Sequence, residues 1–183
     1  MDREEVISSI EASVDNRNLI KHMLATEAIM RALARRLGED EEEWGLAGLL
    51  HDIDVELTAG DMSTHSKLGA DLAREMGASE VIAHAILCHN EAHGAPCVTR
   101  LDKALFCADP ITGLITAAAL VRPDKKLAGV EARSVGKRFK EKSFAAGASR
   151  EQMATCSRLG LELDEFIELS LEAMKGIAGE LGL

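Results

Sequence analysis

Tyrosine is absent from this chain, and aromatic residues of all kinds make up only 3% of its 183 positions. Stacking platforms for bases and aromatic cages for quaternary amines therefore have little to be built from. Methionine, leucine and alanine have to fill the core instead. Positive charge is also in deficit: 21 Lys and Arg stand against 31 Asp and Glu, a net charge of −10. A groove that follows a phosphate backbone needs basic surface, so no nucleic-acid polymer is expected as a partner. No apolar run approaches a membrane-spanning length, and the opening Met1-Asp-Arg-Glu-Glu has no apolar stretch of signal-peptide type. The expectation is a soluble, cytoplasmic protein with no membrane partner. Cys88, Cys97, Cys107 and Cys156 form no Cys-x-x-Cys pair, which reads as reduced core residues rather than disulfides. Repeats, low-complexity tracts and alternating strand patterns are missing too.

What remains is helical periodicity. Residues 1–14 form a short helix with Val6, Ile7 and Ile10 on its apolar side. Asp15-Asn16 offers a cap for a helix over about 17–37, ended by Gly38. The acidic stretch Glu39 to Glu43 reads as a loop leading into a buried helix over 44–52, and 53–63 reads as a second loop. Helices follow over 64–76, with His65 in the first turn, and over 80–89 behind Ser79. A loop spans 90–98, and Thr99 with Asp102 makes a capping-box-like start to a helix that ends near Asp109, where Pro110 forces a kink or a restart. Beyond Arg122-Pro123 come a basic stretch over 133–142, a capping box at Ser149 and Gln152, and a last amphipathic helix over 164–181. The fold class is all-α: residues 1–123 form a helical domain, and 124–183 form a helical extension packed on it or serving as a dimerisation surface.

The stretch Trp44-Gly-Leu-Ala-Gly-Leu-Leu50 runs without charge straight into His51-Asp52. Polar groups entering a core need partners, and this pair has two candidates, a metal ion or a salt bridge at the helix end. All six histidines fall between positions 22 and 93. His22, His51, Asp52, His65, His89 and Asp109 each lie on or at the end of a predicted helix, so packed helices can aim them at one centre. Six nitrogen and oxygen donors exceed what one tetrahedral zinc with an open position uses, and they suit two cations sharing a bridging carboxylate, with Asp52 the natural bridge.

The order His … His-Asp … Asp resembles the HD superfamily of metal-dependent phosphohydrolases, whose signature helix end reads as Leu49-Leu50-His51-Asp52-Ile53 does. The likeness spans roughly residues 18–123. Thr64-His-Ser-Lys-Leu-Gly-Ala70 resembles the HxxxGA segment that supplies a histidine to the second metal of dinuclear members. His89-Asn90-Glu91 resembles the HHE segment of the cyclic-dinucleotide phosphodiesterase branch, with Asn90 in place of the second histidine, and Ala108-Asp109 with Arg122-Pro123 resembles that branch's AD…RP pattern. The glycine and lysine that commonly follow the His-Asp-Ile segment are replaced by Asp54 and Val55, and a GYP signature is missing, so cyclic-di-GMP is not the expected substrate.

The resemblance implies a helical HD bundle and metal ligation by His22, His51, Asp52, His65, His89 and Asp109. It implies two divalent ions, iron or manganese, with magnesium, zinc, cobalt or nickel as alternatives. The implied activity is hydrolysis of a nucleotide or other small phosphate ester by a metal-activated water, which Asp52 orients while His93 donates a proton to the leaving group. Lys67, Arg100, Lys103 and Arg122 are the candidate contacts to substrate phosphate, and a homo-oligomer is possible. Two other readings fit the same residues: a di-iron oxygenase of HD type, and a non-catalytic module that senses a metal and a nucleotide.

Overall fold

The computed structural model describes residues 1–183, and all of its regular structure is helical. In chain order the α-helices are α1 (Arg3–Ser13), α2 (Arg17–Leu37), α3 (Glu41–Leu50), α4 (Val55–Thr58), α5 (Lys67–Glu75), α6 (Glu80–His89), α7 (Arg100–Leu120), α8 (Ala132–Lys140), α9 (Arg150–Ala154), α10 (Leu163–Gly176) and α11 (Ala178–Leu181). Short 3₁₀ turns lie at Glu91–His93, Leu127–Gly129 and Thr155–Leu159.

The caps explain most boundaries. Asn16 accepts from the Asn18 N–H at the start of α2, and Gly38, at φ +72°, ends it in the left-handed conformation that glycine adopts without strain. Helix α3 begins inside the acidic stretch expected to be a loop. The Asp40 side chain accepts from the Glu43 N–H, and Glu41, Glu42 and Glu43 sit where the helix dipole favours negative charge. The expected loop over 53–63 contains the single turn α4. His65 stands before α5 rather than in its first turn, because Ser66 breaks the chain at φ +72° and its N–H turns to Asp54.

Helix α7 runs unbroken through Pro110. A proline there removes one intrahelical hydrogen bond, and burial of Leu101 and Leu105 before it and of Ile111, Leu114 and Ile115 after it holds both halves in line. At the C-terminus the expected 164–181 helix divides at Ile177 into α10 and α11, the expected capping box keeps only the Ser149 bond to the Gln152 N–H, and the basic stretch forms α8 with Val135 buried.

Helices α2 and α7 are the two long rods of the bundle. α2 packs most extensively on α3, while α7 touches α2, α3, α6, α8, α9 and α10. By length and composition alone α7 is apolar enough to cross a membrane, contrary to the expectation of no such run, but it is the packed centre of the bundle, with most of its side chains buried. Helix α10 packs on α2 and α7, and Phe166 and Met174 are fully buried. The apolar core is one cluster of 44 residues running from Val6 to Leu181, so residues 124–183 share it with the residues before them.

One close approach sets the position of the centre. A Cβ on Gly48 would lie 2.9 Å from the Glu27 Cα and N atoms and the Thr26 carbonyl, so only glycine lets α3 press this tightly on α2. Beneath the contact Glu27 is buried and paired with Arg3 and Arg31, at 2.5 and 2.9 Å.

Candidate metal centre

The uncharged run of α3 delivers His51, with no exposed surface, and Asp52 to the bottom of a cleft. His22 comes from α2, His89 from the last position of α6, Asp109 from the middle of α7, and His65 from the break before α5. Their polar atoms converge. His22 Nε2 lies 3.1 Å from His51 Nε2, 3.3 Å from Asp52 Oδ2 and 3.2 Å from Asp109 Oδ1. His51 Nε2 lies 3.4 Å from Asp52 Oδ2 and 3.8 Å from Asp109 Oδ1. The other Asp52 oxygen, Oδ1, is 3.5 Å from His65 Nε2 and 3.5 Å from His89 Nε2. Asp52 thus turns one oxygen to the His22, His51 and Asp109 group and the other to His65 and His89.

The outer nitrogens fix every tautomer. His51 Nδ1 donates to the Gly48 carbonyl at 2.8 Å and His89 Nδ1 to the Ile86 carbonyl at 2.6 Å. The Thr112 hydroxyl gives its hydrogen to the Asp109 carbonyl, so it can only accept from His22 Nδ1, 2.8 Å away. His65 Nδ1 donates to Asp54 Oδ1 at 2.8 Å. With each Nδ1 carrying hydrogen, each Nε2 presents a lone pair inward. Lone pairs facing each other at 3.1 Å beside two carboxylates repel unless a positive charge lies between them. Imidazole nitrogens held by carbonyl, hydroxyl and carboxylate partners are the usual surroundings of metal ligands, so the donor set fits one or two divalent cations.

The titration behaviour says the same. Burial works against the imidazolium of His22, yet hydrogen bonds to Asp109 and Asp52 outweigh it and raise its pKa to about 10. Burial opposes ionisation of Asp52 and Asp109, but the surrounding histidines hold both well below the usual carboxylate range. His89 is raised, with burial overcome by its bond to Asp52. In the metal-free chain a proton on His22 supplies the positive charge that the cluster needs.

The centre opens into a cavity of about 470 Å³, walled by Val55, Thr58, Met62, Asn90, Glu91 and Gln152 beside the ligand residues. None of the four cations expected to meet phosphate lines it. Arg100 pairs with Glu39 at 2.8 Å and Arg122 with Asp124 at 3.0 Å, both outside the cavity, and Lys67 and Lys103 are likewise absent from its wall. His93 sits behind the wall, its Nε2 donating to the His65 carbonyl at 2.5 Å. Asn90 joins it there, its amide donating to the Met62 and His65 carbonyls. The sequence reading missed Asp54, which is fully buried and accepts from His65 Nδ1 and from the Ser66 and Gly69 N–H groups. A carboxylate two positions beyond the His-Asp pair was the available signal. Gly69 has its own reason to be glycine, because a Cβ there would stand 3.1 Å from the Asp54 carboxyl.

Known proteins resemble this chain over the same helices. Ribonuclease Y of Oleidesulfovibrio alaskensis is 32% identical over 139 residues, covering 74% of this chain and 26% of that protein. Ribonuclease Y of Sulfurovum sp. is 29% identical over 164 residues, 87% of this chain and 32% of that one. Ribonuclease Y of Geobacter sulfurreducens is 27% identical over 169 residues, 91% of this chain and 32% of its own. The chain therefore spans about a quarter to a third of the length of these relatives, and the longer alignments reach into its C-terminal helices. The HD domain family matches residues 19–121, more than half of the chain and all six converging side chains. The chain belongs to the HD domain family.

Proposed function

We propose that the chain is a metal-dependent phosphohydrolase acting on a nucleotide or another small phosphate ester. The observation that carries this reading is the split of Asp52 between two donor groups, one oxygen toward His22, His51 and Asp109 and the other toward His65 and His89. These residues would hold two divalent cations, with iron or manganese suited to the mixed nitrogen and oxygen donors. When bound, such ions supply Lewis acidity to phosphate oxygens and bring the pKa of water toward neutrality.

The chain's own residues do the rest. Asp52 fixes the spacing of the two groups. Gly48, Ile86, Thr112 and Asp54 lock the imidazole tautomers, so no reorientation is needed when a ligand arrives. Val55, Thr58, Met62 and Ala92 line the cavity, which is of nucleotide size. A phosphate entering it meets Asp52, Asp109 and Glu91 with no lysine or arginine in the wall, so cations have to neutralise it. The wall offers Gln152 as a neutral hydrogen-bonding group for the rest of a substrate.

A second substrate class is favoured by the relatives, which are named as ribonucleases. The acidic wall supports a short or terminal nucleotide linkage over a long backbone. The test strips the protein of metal, restores manganese or ferrous iron, and follows phosphate-ester cleavage on mononucleotides, dinucleotides, cyclic nucleotides and short RNA. Cleavage that returns only with metal and is lost in Asp52→Asn supports the proposal. Turnover equal in the metal-free protein would falsify it. No cleavage with two ions bound per chain would sink it as well, in favour of an oxygenase if dioxygen is consumed and of a sensor if it is not.

A further inference from the structure

A second cluster of metal-ligating side chains lies on the far side of α6. His84 and Cys88 are four residues apart and share one helix face, and Asp102 reaches them from the first turn of α7. Donor atoms of these three residues lie within 4.8 Å of one another. The 94–99 loop adds Cys97, whose sulfur is 3.2 Å from that of Cys88. The expectation that all four cysteines are plain core residues thus fails for Cys97, which is partly exposed and faces another thiol.

Asp102 is the telling member. Its Oδ2 accepts from the Val98 and Thr99 N–H groups at 2.9 and 2.8 Å and from His84 Nδ1 at 3.1 Å. Its Oδ1 is buried and has no partner, although the residue has no exposed surface. An orphaned carboxylate oxygen in a core calls for an explanation, and a bound ion is one of the few available. The spacings agree with one. Tetrahedral zinc with bonds of about 2.0 Å to nitrogen and oxygen and about 2.3 Å to sulfur places N and O about 3.3 Å apart and two sulfurs about 3.8 Å apart. The observed 3.1 Å from His84 Nδ1 is to Asp102 Oδ2, beside the unpartnered Oδ1 on the same carboxylate, and the 3.2 Å between the sulfurs is about half an ångström inside the second spacing. A cavity of about 460 Å³ opens on Cys88 and Cys97 and gives an entry path.

We propose that His84, Cys88, Cys97 and Asp102 form a structural site for a thiophilic divalent ion, zinc by donor chemistry, separate from the candidate hydrolytic centre. On binding, the two thiols release their protons to solvent and His84 moves its hydrogen from Nδ1 to Nε2. The site then holds N, O and two S donors with a net charge of −1, and Asp102 keeps its two backbone donors. The ion would pin the loop after α6 to the start of α7. That loop begins with Asn90, Glu91 and Ala92, which wall the hydrolytic cavity.

Cobalt(II) separates the two sites. The hydrolytic centre has only nitrogen and oxygen donors, so a thiolate-to-cobalt charge-transfer band in the near ultraviolet reports the cysteine site alone. The fully reduced, metal-stripped protein is titrated with cobalt, then with zinc. One equivalent producing the band, its displacement by zinc and its loss in Cys97→Ser support the proposal; that variant changes a partly exposed loop residue outside the hydrolytic centre. His84→Asn, in a half-exposed position, provides a second readout and loses or weakens the band. Absence of the band at saturating cobalt with all four thiols titratable overturns the proposal. So does a band unchanged in both variants.

Discussion

Asp54 is a carboxylate with no exposed surface that stays ionised. Burial opposes its charge, but His65 and the Ser66 and Gly69 N–H groups together hold its pKa below the usual range. Its service is to fix the tautomer and direction of His65. Asp54→Asn removes that charge while keeping size and some hydrogen bonding. Metal affinity on the His65 and His89 side is expected to fall about 10- to 100-fold, as is usual when such a partner is lost. Isothermal titration of the metal-stripped variant, with thermal unfolding as the control for fold, checks this.

His22 makes the sign of a pH effect explicit. Its pKa is raised to about 10 in the metal-free chain, so near neutrality Nε2 is protonated and must lose that proton to ligate. Metal affinity is therefore expected to rise with pH, by up to about tenfold per unit below that value, with protons released on binding. Competition titrations in buffers of different ionisation enthalpy measure both; pH-independent affinity with no proton release contradicts it. For stability of the metal-free chain the signs are opposite for the two residue types. The raised pKa of His22 contributes at pH values below its ordinary value and is lost as pH climbs toward about 10. The depressed carboxyls of Asp52 and Asp109 contribute fully above the ordinary carboxylate pKa, and the contribution is lost as pH falls from there through their lowered folded-state pKa values.

At the scale of elements, the contact of α3 with α2 has the least tolerance. Gly48→Ala would place a methyl 2.9 Å from backbone atoms of Glu27 and Thr26, which cannot rotate aside. Overpacking of this kind costs about 1–3 kcal/mol, and it would also move the Gly48 carbonyl that orients His51. Urea unfolding should show a lower midpoint at unchanged slope, with weakened metal binding alongside. Most helices were legible from the sequence because their signals are local: Asn16, Ser79, Thr99 and Ser149 all accept from backbone N–H groups at helix starts. The candidate ligands could be picked out because they follow a recognisable order along the chain, with His51-Asp52 and His89 at helix ends and His22 and Asp109 inside the long helices. What local pattern did not reveal depends on partners far along the chain. Pro110 looked like a helix end because only packing of α7 on its neighbours keeps the helix whole. Asp54 looked like a lost glycine because its three donors lie 11 to 15 residues further on.

For the molecule as a whole, the single core predicts that the C-terminal helices stabilise the centre from a distance. Phe166, on α10, has no exposed surface and belongs to the same cluster as Met23 of α2 and Ile111 of α7. Phe166→Ala is expected to cost about 3–5 kcal/mol in one cooperative transition. Circular dichroism and metal release should report the same midpoint; separate midpoints would mean that the two halves unfold independently. The direction of the four candidate phosphate contacts was beyond the sequence for a global reason as well. Arg100 is drawn to Glu39, 61 positions away, a pairing that becomes visible only once the helices are placed, while Arg122 is held by its near neighbour Asp124.

The centre joins α2 to α7 through His22 and Thr112, which are 90 positions apart in the chain. No donor set of this kind exists until both long helices have docked, so an ion has nothing to grip while the chain is still searching for its fold. An ion that binds only the docked helices stabilises the native state and is expected to act on escape from it. In a chevron plot, removing the ions would leave the refolding limb where it is and lift the unfolding limb. Bound metal would act as a latch on a door that the helices close by themselves.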